Sequence, residues 1–291
     1  MSVLPRLSLN TLSGQLEAAC LLEAAARKPG NVHPGAAFAD LTFADFVTSA
    51  TAAAPRLAQA RESGVGQAVF NAVESTQAAV GRNTNLGIIL LLAPLAAVPP
   101  DQSLQSGIGE VLRGLTVADS RLVYAAIRAA QPGGMGTSNA QDLAGEPTLP
   151  LVEIMRLAAD RDTIARQYAT DYADLFEVAL PGLLRWSKRT MDWEQIVIGT
   201  YLDLLSTIPD SLITRKSGED RAREAGERAA AVLAAGWPIT DLGQQHLEEF
   251  DQWLRGDGHR RNPGTTADMI AATLFIAIRD KLWLPPDLIE S

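Results

Sequence analysis

Four short stretches crowd polar and charged residues against Gly and Pro: Glu23 with "RKPGNVH" (27–33), "GRNTNLG" (81–87), "ITRKSG" (213–218) and "NPGTTAD" (262–268). Turn chemistry accounts for the Gly and Pro residues, but not for Arg27, Lys28, Asn31 and His33 threaded among those of the first stretch. Glu23 follows Leu16 by seven residues and Ala19 by four, which puts its carboxylate on the apolar stripe of a predicted helix. A carboxylate there needs a partner. Two readings are open: an i,i+4 ion pair with Arg27, or a cation such as Mg²⁺ or a substrate hydroxyl.

The other three stretches sit where helices should begin. Asn83 or Thr84 is the expected cap of a helix that is otherwise apolar all round. Its free N–H groups and positive dipole end suit an anion, and Gly87 permits close approach by a ligand or another helix. Ser217 and Asp220 form a capping-box pattern, which predicts a helix start just after Arg215 and Lys216. Those cations, with Gly218 beside them, make either a phosphate cradle or a solvated loop. Thr265 and Asp268 repeat the box pattern behind the rigid turn Asn262-Pro263-Gly264, and Asp268 either ligates a metal or complements the helix dipole. Thr116 and Asp119 give the box once more, while His246 and His259 read as ordinary surface or core histidines. Walker, HExxH and GxSxG motifs are absent, as is a Rossmann glycine fingerprint following a strand.

The elements that must position these residues are helical nearly throughout. Periodicity predicts a first helix ending at Lys28–Pro29, then helices near 42–61, 64–81, 85–98, 101–113 and 116–130. After a break they resume near 149–158, 162–190, 192–208, 218–235, 240–255 and 265–282. Useful β alternation is missing, so the expected fold is an all-α bundle, read as one domain over 1–291. Residues 131–150, rich in Gly and Pro, form the longest break and read as a lid or a plain connection.

Composition narrows the function classes. Hydrophobic residues at 47% and charged residues at 20% fit a globular protein with a sizeable core. A net charge of -9 argues against a nucleic-acid partner, since phosphate affinity of that kind comes from clustered Lys and Arg. Cys20, the one cysteine, rules out an intrachain disulfide and a multi-Cys metal site, and reads as a small buried residue. "LGIILLLAPLAAV" is 13 residues long and holds Pro94, too short for a membrane span. With no signal-peptide pattern at the N-terminus, the expected location is the cytoplasm, with no membrane partner.

In this order, the four stretches resemble the triphosphoribosyl-dephospho-CoA synthase family, whose pattern is a glutamate with "PKPGLVD", then "GINTHKG", an "R-x-G" stretch and a late "SPGGxAD". The resemblance spans roughly residues 15–280. It implies an all-α enzyme in which the 2′-hydroxyl of 3′-dephospho-CoA attacks the ribose C1′ of ATP, expels adenine and keeps the triphosphate. ATP as substrate, Mg²⁺ as cofactor and dephospho-CoA as acceptor follow from it, and a homo-oligomer is compatible with it. Matched residue by residue, it implies a catalytic set of Glu23, Asp268 and His33, with Glu23 and Asp268 also as metal ligands. Nucleotide or substrate contacts are implied for Lys28, Gly30, Asn31, Asn83, Thr84, Asn85, Arg215, Lys216, Gly218, Asn262, Gly264 and Thr265. The sequence also departs from the pattern: the family's His-Lys is Asn85-Leu86, an Asp is replaced by His33, and "SPGG" is Asn262-Pro263-Gly264-Thr265. The acceptor can therefore differ, and a water-using nucleotide hydrolase or a non-catalytic nucleotide-binding protein on the same scaffold are the alternatives.

Overall fold

The structure is a computed structural model that describes residues 7–131 and 141–285. Those residues are helical with no β-strand among them; only the isolated bridges His33–Ala36 and Phe38–Leu41 occur, as the all-α reading expects. Of the long break at 131–150, residues 132–140 lie outside the described residues. The first half comprises α1 (Leu12–Ala25), α2 (Phe43–Leu57), the one-turn α3 (Ala60–Ser63), α4 (Val65–Val80), α5 (Leu86–Ala97), α6 (Leu104–Arg113) and α7 (Val117–Ala130). The second comprises α8 (Leu151–Arg156), α9 (Thr163–Ala169), a π-helical turn (Leu175–Ala179) running into α10 (Leu180–Trp186), α11 (Trp193–Thr207), α12 (Ser211–Ser217), α13 (Glu219–Ala234), α14 (Asp241–Arg255) and α15 (Gly264–Arg279).

Local chemistry sets many of the starts. Thr42 with Asp45 and Thr116 with Asp119 form reciprocal capping boxes, the second as predicted. Two helices, α5 and α15, make the centre. Every residue of α5 is buried except Gly87 and Ala97, and α15 is buried from Thr265 to Ile278 except at Asp268. Both interior exceptions, Gly87 and Asp268, face each other: a Cβ at Gly87 would collide with the Asp268 carboxylate. Gly87 thus admits a side chain of another helix. Around this pair, α1 packs on α2 and α15, α4 on α2 and α7, and α11 on α13.

Pro94 has a consequence inside α5. It lacks an N–H, so the Leu90 carbonyl loses its helical donor. The Tyr168 hydroxyl supplies one at 2.6 Å, and the Tyr172 hydroxyl donates to the Leu91 carbonyl at 2.9 Å. Both tyrosines are fully buried, and Asp171 and Tyr172 take positive φ values of 50° and 65°. The predicted helix over 162–190 is broken there, because satisfying α5 outweighs continuing the local helix. No single helix among the described residues is long and apolar enough to cross a membrane.

Candidate active site

Glu23 lies in the last turn of α1, almost wholly buried. Its partner is not Arg27. Arg27 turns outward to Glu194 at 2.7 Å, while Lys28, with no exposed surface, folds back so that Nζ lies 2.9 Å from Glu23 Oε1. The same ammonium donates to the Glu23 carbonyl, one of those a helix C-terminus leaves open, and to the Ala26 carbonyl, which also accepts from Lys28 N–H. The loop that turns Lys28 back is clamped from two helices. Tyr201 of α11 donates to the Pro29 carbonyl at 2.7 Å, Gly30 N–H donates to Asp251 of α14 at 2.7 Å, and Arg255 donates to the Asn31 carbonyl at 2.5 Å. Gly30 has φ of 78°, and a Cβ there would strike Leu254 and Pro263, so this glycine is required twice over.

From that loop the Asn31 amide donates to Asn262 Oδ1 at 2.7 Å and ties the first stretch to the fourth. Asn31 Oδ1 has no hydrogen-bond partner among the described residues. In the second stretch, Asn83 Oδ1 accepts from Leu86 N–H at 3.2 Å, so Asn83 serves the start of α5. Thr84 meets Ser49 of α2 at 2.5 Å. Asp210 is the organiser of the third and fourth. Its buried carboxylate caps α12 through Leu212 and Ile213 N–H, and accepts from the Thr266 N–H and hydroxyl at 2.7 and 2.8 Å. That ties the start of α12, the helix that carries Arg215 and Lys216, to the start of α15, where Asp268 stands.

The result is one cleft of about 1020 Å³. One wall is polar, with Glu23, Asn31, Asn83, Thr84, Arg215, Lys216, Asn262, Gly264, Thr265 and Asp268. The other is apolar, with Val123, Tyr124 and Ile127 of α7 and Leu151, Ile154 and Met155 of α8. Half-buried with its carboxylate packed against Gly87, Asp268 is desolvated, and this, followed by the neighbouring Glu23 charge, pushes its carboxyl well above the usual carboxylate range, against the pull of Arg215. Arg215 lies 3.5 Å from Asp162. Burial and the adjacent Arg215 lower the Lys216 ammonium, which has no ion-pair partner among the described residues.

Four expected contact residues and the expected catalytic His33 do not line the cleft. Lys28 is sealed behind Glu23, and Gly30 spends its N–H on Asp251. Asn85 is buried at the α5 start. Gly218 forms the break between α12 and α13 at φ of 89°. His33 points its Nδ1 at Gly35 N–H, 3.1 Å away, and caps its own turn. Two predicted capping boxes are also absent. Ser217 closes α12 and donates to the Arg260 carbonyl, and Thr265 meets Ser211 at 3.1 Å, so neither caps the helix that follows. Arg215 and Lys216 stand in the last turn of α12, and α13 begins just after them at Glu219, as predicted, though without the capping box.

Several cleft residues went unselected by sequence reasoning: Arg82, Asp40, His259 and Asp162. Arg82 lies inside the second stretch, and its position there was the available signal. His259 pairs with Asp40 at 2.6 Å and packs on Phe38 at 4.0 Å, contacts between remote loops that no local pattern announces. No group of three or more His, Cys, Asp or Glu residues forms a metal cage among the described residues. Glu23 and Asp268 nevertheless suit Mg²⁺, which binds through one or two carboxylates and keeps its other positions for water and phosphate. Burial is the first cause of the raised Asp268 carboxyl, and the Glu23 charge that adds to it is what a cation would relieve.

Comparison with known proteins converges on one family. The family model described as ATP:dephospho-CoA triphosphoribosyl transferase matches residues 9–286. A protein of Pseudomonas paraeruginosa named as a probable 2-(5″-triphosphoribosyl)-3′-dephosphocoenzyme-A synthase is 30% identical over 97 residues, 33% of this chain and 32% of that protein. One of the same name from Pseudomonas putida is 31% identical over 98 residues, 33% of this chain and 34% of its own length. The chain thus aligns with about a third of the length of these curated relatives. A crystal structure from Archaeoglobus fulgidus, provisionally named a triphosphoribosyl-dephospho-CoA synthase, superposes with a TM-score of 0.64 at 27% identity, covering 80% of this chain and 97% of that one.

Proposed function

The chain belongs to the ATP:dephospho-CoA triphosphoribosyl transferase family, and from that premise we propose that its cleft transfers the triphosphoribosyl group of ATP to a hydroxyl acceptor of the dephospho-CoA class, releasing adenine. The observation that carries this reading is the convergence of Glu23, Asn83, Arg215, Lys216 and Asp268, drawn from four distant stretches, on one cleft. Arg215 and Lys216 bind the triphosphate. Glu23 and Asp268 face the ribose, where departure of adenine builds positive charge at C1′ that a carboxylate stabilises. Asn83 and Thr84 orient the ribose or the acceptor through their polar side chains. The acceptor's hydroxyl proton passes to a carboxylate oxygen of the same pair as the new C1′–O bond forms and the C1′–N9 bond breaks, and adenine leaves after taking up one proton, so that charge balances. Mg²⁺, held by Glu23 and Asp268, would supply charge neutralisation at the phosphates.

The acceptor is the open part of the reading. Where the family pattern has His-Lys, Asn85 is buried off the cleft and Leu86 adds apolar surface to it, whereas Arg82 brings a cation to the same wall. Incubation with ATP, Mg²⁺ and dephospho-CoA, scored for free adenine and a triphosphate-bearing product by mass spectrometry, tests the assignment. Acceptor-dependent adenine release is expected, and Glu23→Gln should slow it by roughly a hundredfold, the scale of losing one well-placed electrostatic group. Phosphate release without adenine would favour a hydrolase, and ATP binding without turnover would favour a binding protein.

A further inference from the structure

The Lys28 ammonium has three protein acceptors: Glu23 Oε1 at 2.9 Å and the carbonyls of Glu23 and Ala26. It is fully buried, whereas Glu23 lines the cleft. Held by Oε1, the Glu23 carboxylate has its other oxygen, Oε2, without a protein hydrogen bond among the described residues. The clamps on the loop, from Tyr201, Asp251 and Arg255, keep the ammonium from swinging toward a ligand.

We infer that Lys28 is a positioning residue, which caps the last turn of α1 and, through the same ammonium, fixes the Glu23 carboxylate so that one oxygen faces the bound nucleotide. Its position in "RKPG" suggests a phosphate contact, but its burial forbids one. The inference rests on the transferase reading only for its kinetic consequence; the geometry stands alone. A buried carboxylate with several rotamers available loses its aim once its partner is gone, and a side chain out of place by about 1 Å can cost on the order of a hundredfold in rate. A pure helix cap would affect stability alone.

Three variants separate these roles: Lys28→Met, Glu23→Gln and the double variant. For Lys28→Met, kcat for adenine release should fall roughly a hundredfold with KM for ATP within about twofold, the pattern of an interaction needed only in the transition state. The double variant should be no slower than Glu23→Gln, because Lys28 acts through Glu23. A raised KM with kcat intact, or a double variant a further tenfold below Glu23→Gln, would overturn the inference. If Lys28→Met alone does not fold, with Glu23 left as an unpaired buried charge, the double variant carries no such charge and provides the comparison. If the wild-type chain releases no adenine, the transferase reading fails, and a crystal structure of Lys28→Met or of the double variant decides the positioning separately. The side chain at position 23 should leave its cleft-facing rotamer, and finding it unmoved would end the proposal.

Discussion

At the scale of single residues, the site's chemistry depends on which charges are paired and which are left facing the cleft. Arg27 is spent on Glu194 and Lys28 on Glu23, leaving Lys216, the loosely paired Arg215 and Arg82 on the cleft to meet an anion. Replacing both Arg215 and Lys216 by Ala should therefore weaken ATP binding at least tenfold, since a charge-assisted hydrogen bond contributes about 1.5–3 kcal/mol. Calorimetric titration of the folded double variant checks this, and unchanged affinity would return both cations to solvent. His33 makes a different prediction. Burial, and then the Arg255 charge, lower its imidazole from 6.5 to about 4, so the folded chain holds it neutral. Between those pH values the unfolded chain binds a proton that the folded chain refuses. The stabilisation is full above about 6.5 and is lost as pH falls toward about 4. Urea midpoints at pH 7 and pH 5 should differ less in His33→Asn, whose amide oxygen can still accept from Gly35, than in the wild type. Glu23, Arg215, Lys216 and Asp268 were legible in the sequence because Gly, Pro and cap residues mark helix ends locally, whereas Arg82, Asp40 and Asp162 were not. Glu23's true partner was not, since Arg27 has the right helical spacing and only the loop's clamps on α11 and α14 turn Lys28 back.

At the scale of elements, periodicity located the helices whose apolar faces are long, such as α4, α5, α7 and α15. It missed α12, whose seven residues follow Pro209 and Asp210 and therefore resemble a turn. It also ran α9, the π-helical turn and α10 together, because the break is imposed by α5 through Tyr168 and Tyr172 rather than by any local breaker. Asp210 shows why α12 matters. One carboxylate caps that helix and binds Thr266 at the head of α15, so a single side chain sets the distance between the cations and Asp268. Asp210→Ala removes the cap and strands buried donors, each effect being about 1–2 kcal/mol, for a total loss of roughly 2–4 kcal/mol in urea unfolding. It should also raise KM for ATP, because the start of α12, the helix that carries both cations, is no longer tied to α15. A variant with normal stability and normal KM would show that α12 is placed by packing alone.

At the scale of the whole molecule, the cleft is a by-product of how two buried helices meet. The starts of α5 and α15 come together at Gly87 and Asp268, and α1 and α12 bring Glu23 and Arg215 to the same opening. Its polar wall was foreshadowed by ordered motifs, but its apolar wall on α7 and α8 was not, since an apolar residue facing a cleft has the same sequence signature as one facing the core. The chain carries a net charge of -9, so an ATP-sized anion can bind well only where cations are concentrated by the fold. A ligand that bridges elements so far apart in sequence binds the folded chain and not the unfolded one. Its binding must therefore appear as global stability: at a hundred times Kd, about 2.7 kcal/mol. For a chain of this size that corresponds to a rise in Tm of roughly 5 °C. Thermal unfolding with and without saturating Mg²⁺-ATP measures it, and the Arg215→Ala/Lys216→Ala variant should lose most of the rise at the same ATP concentration. A wild-type Tm that ATP leaves unmoved, at concentrations well above any physiological level, would mean that the cleft does not receive the nucleotide.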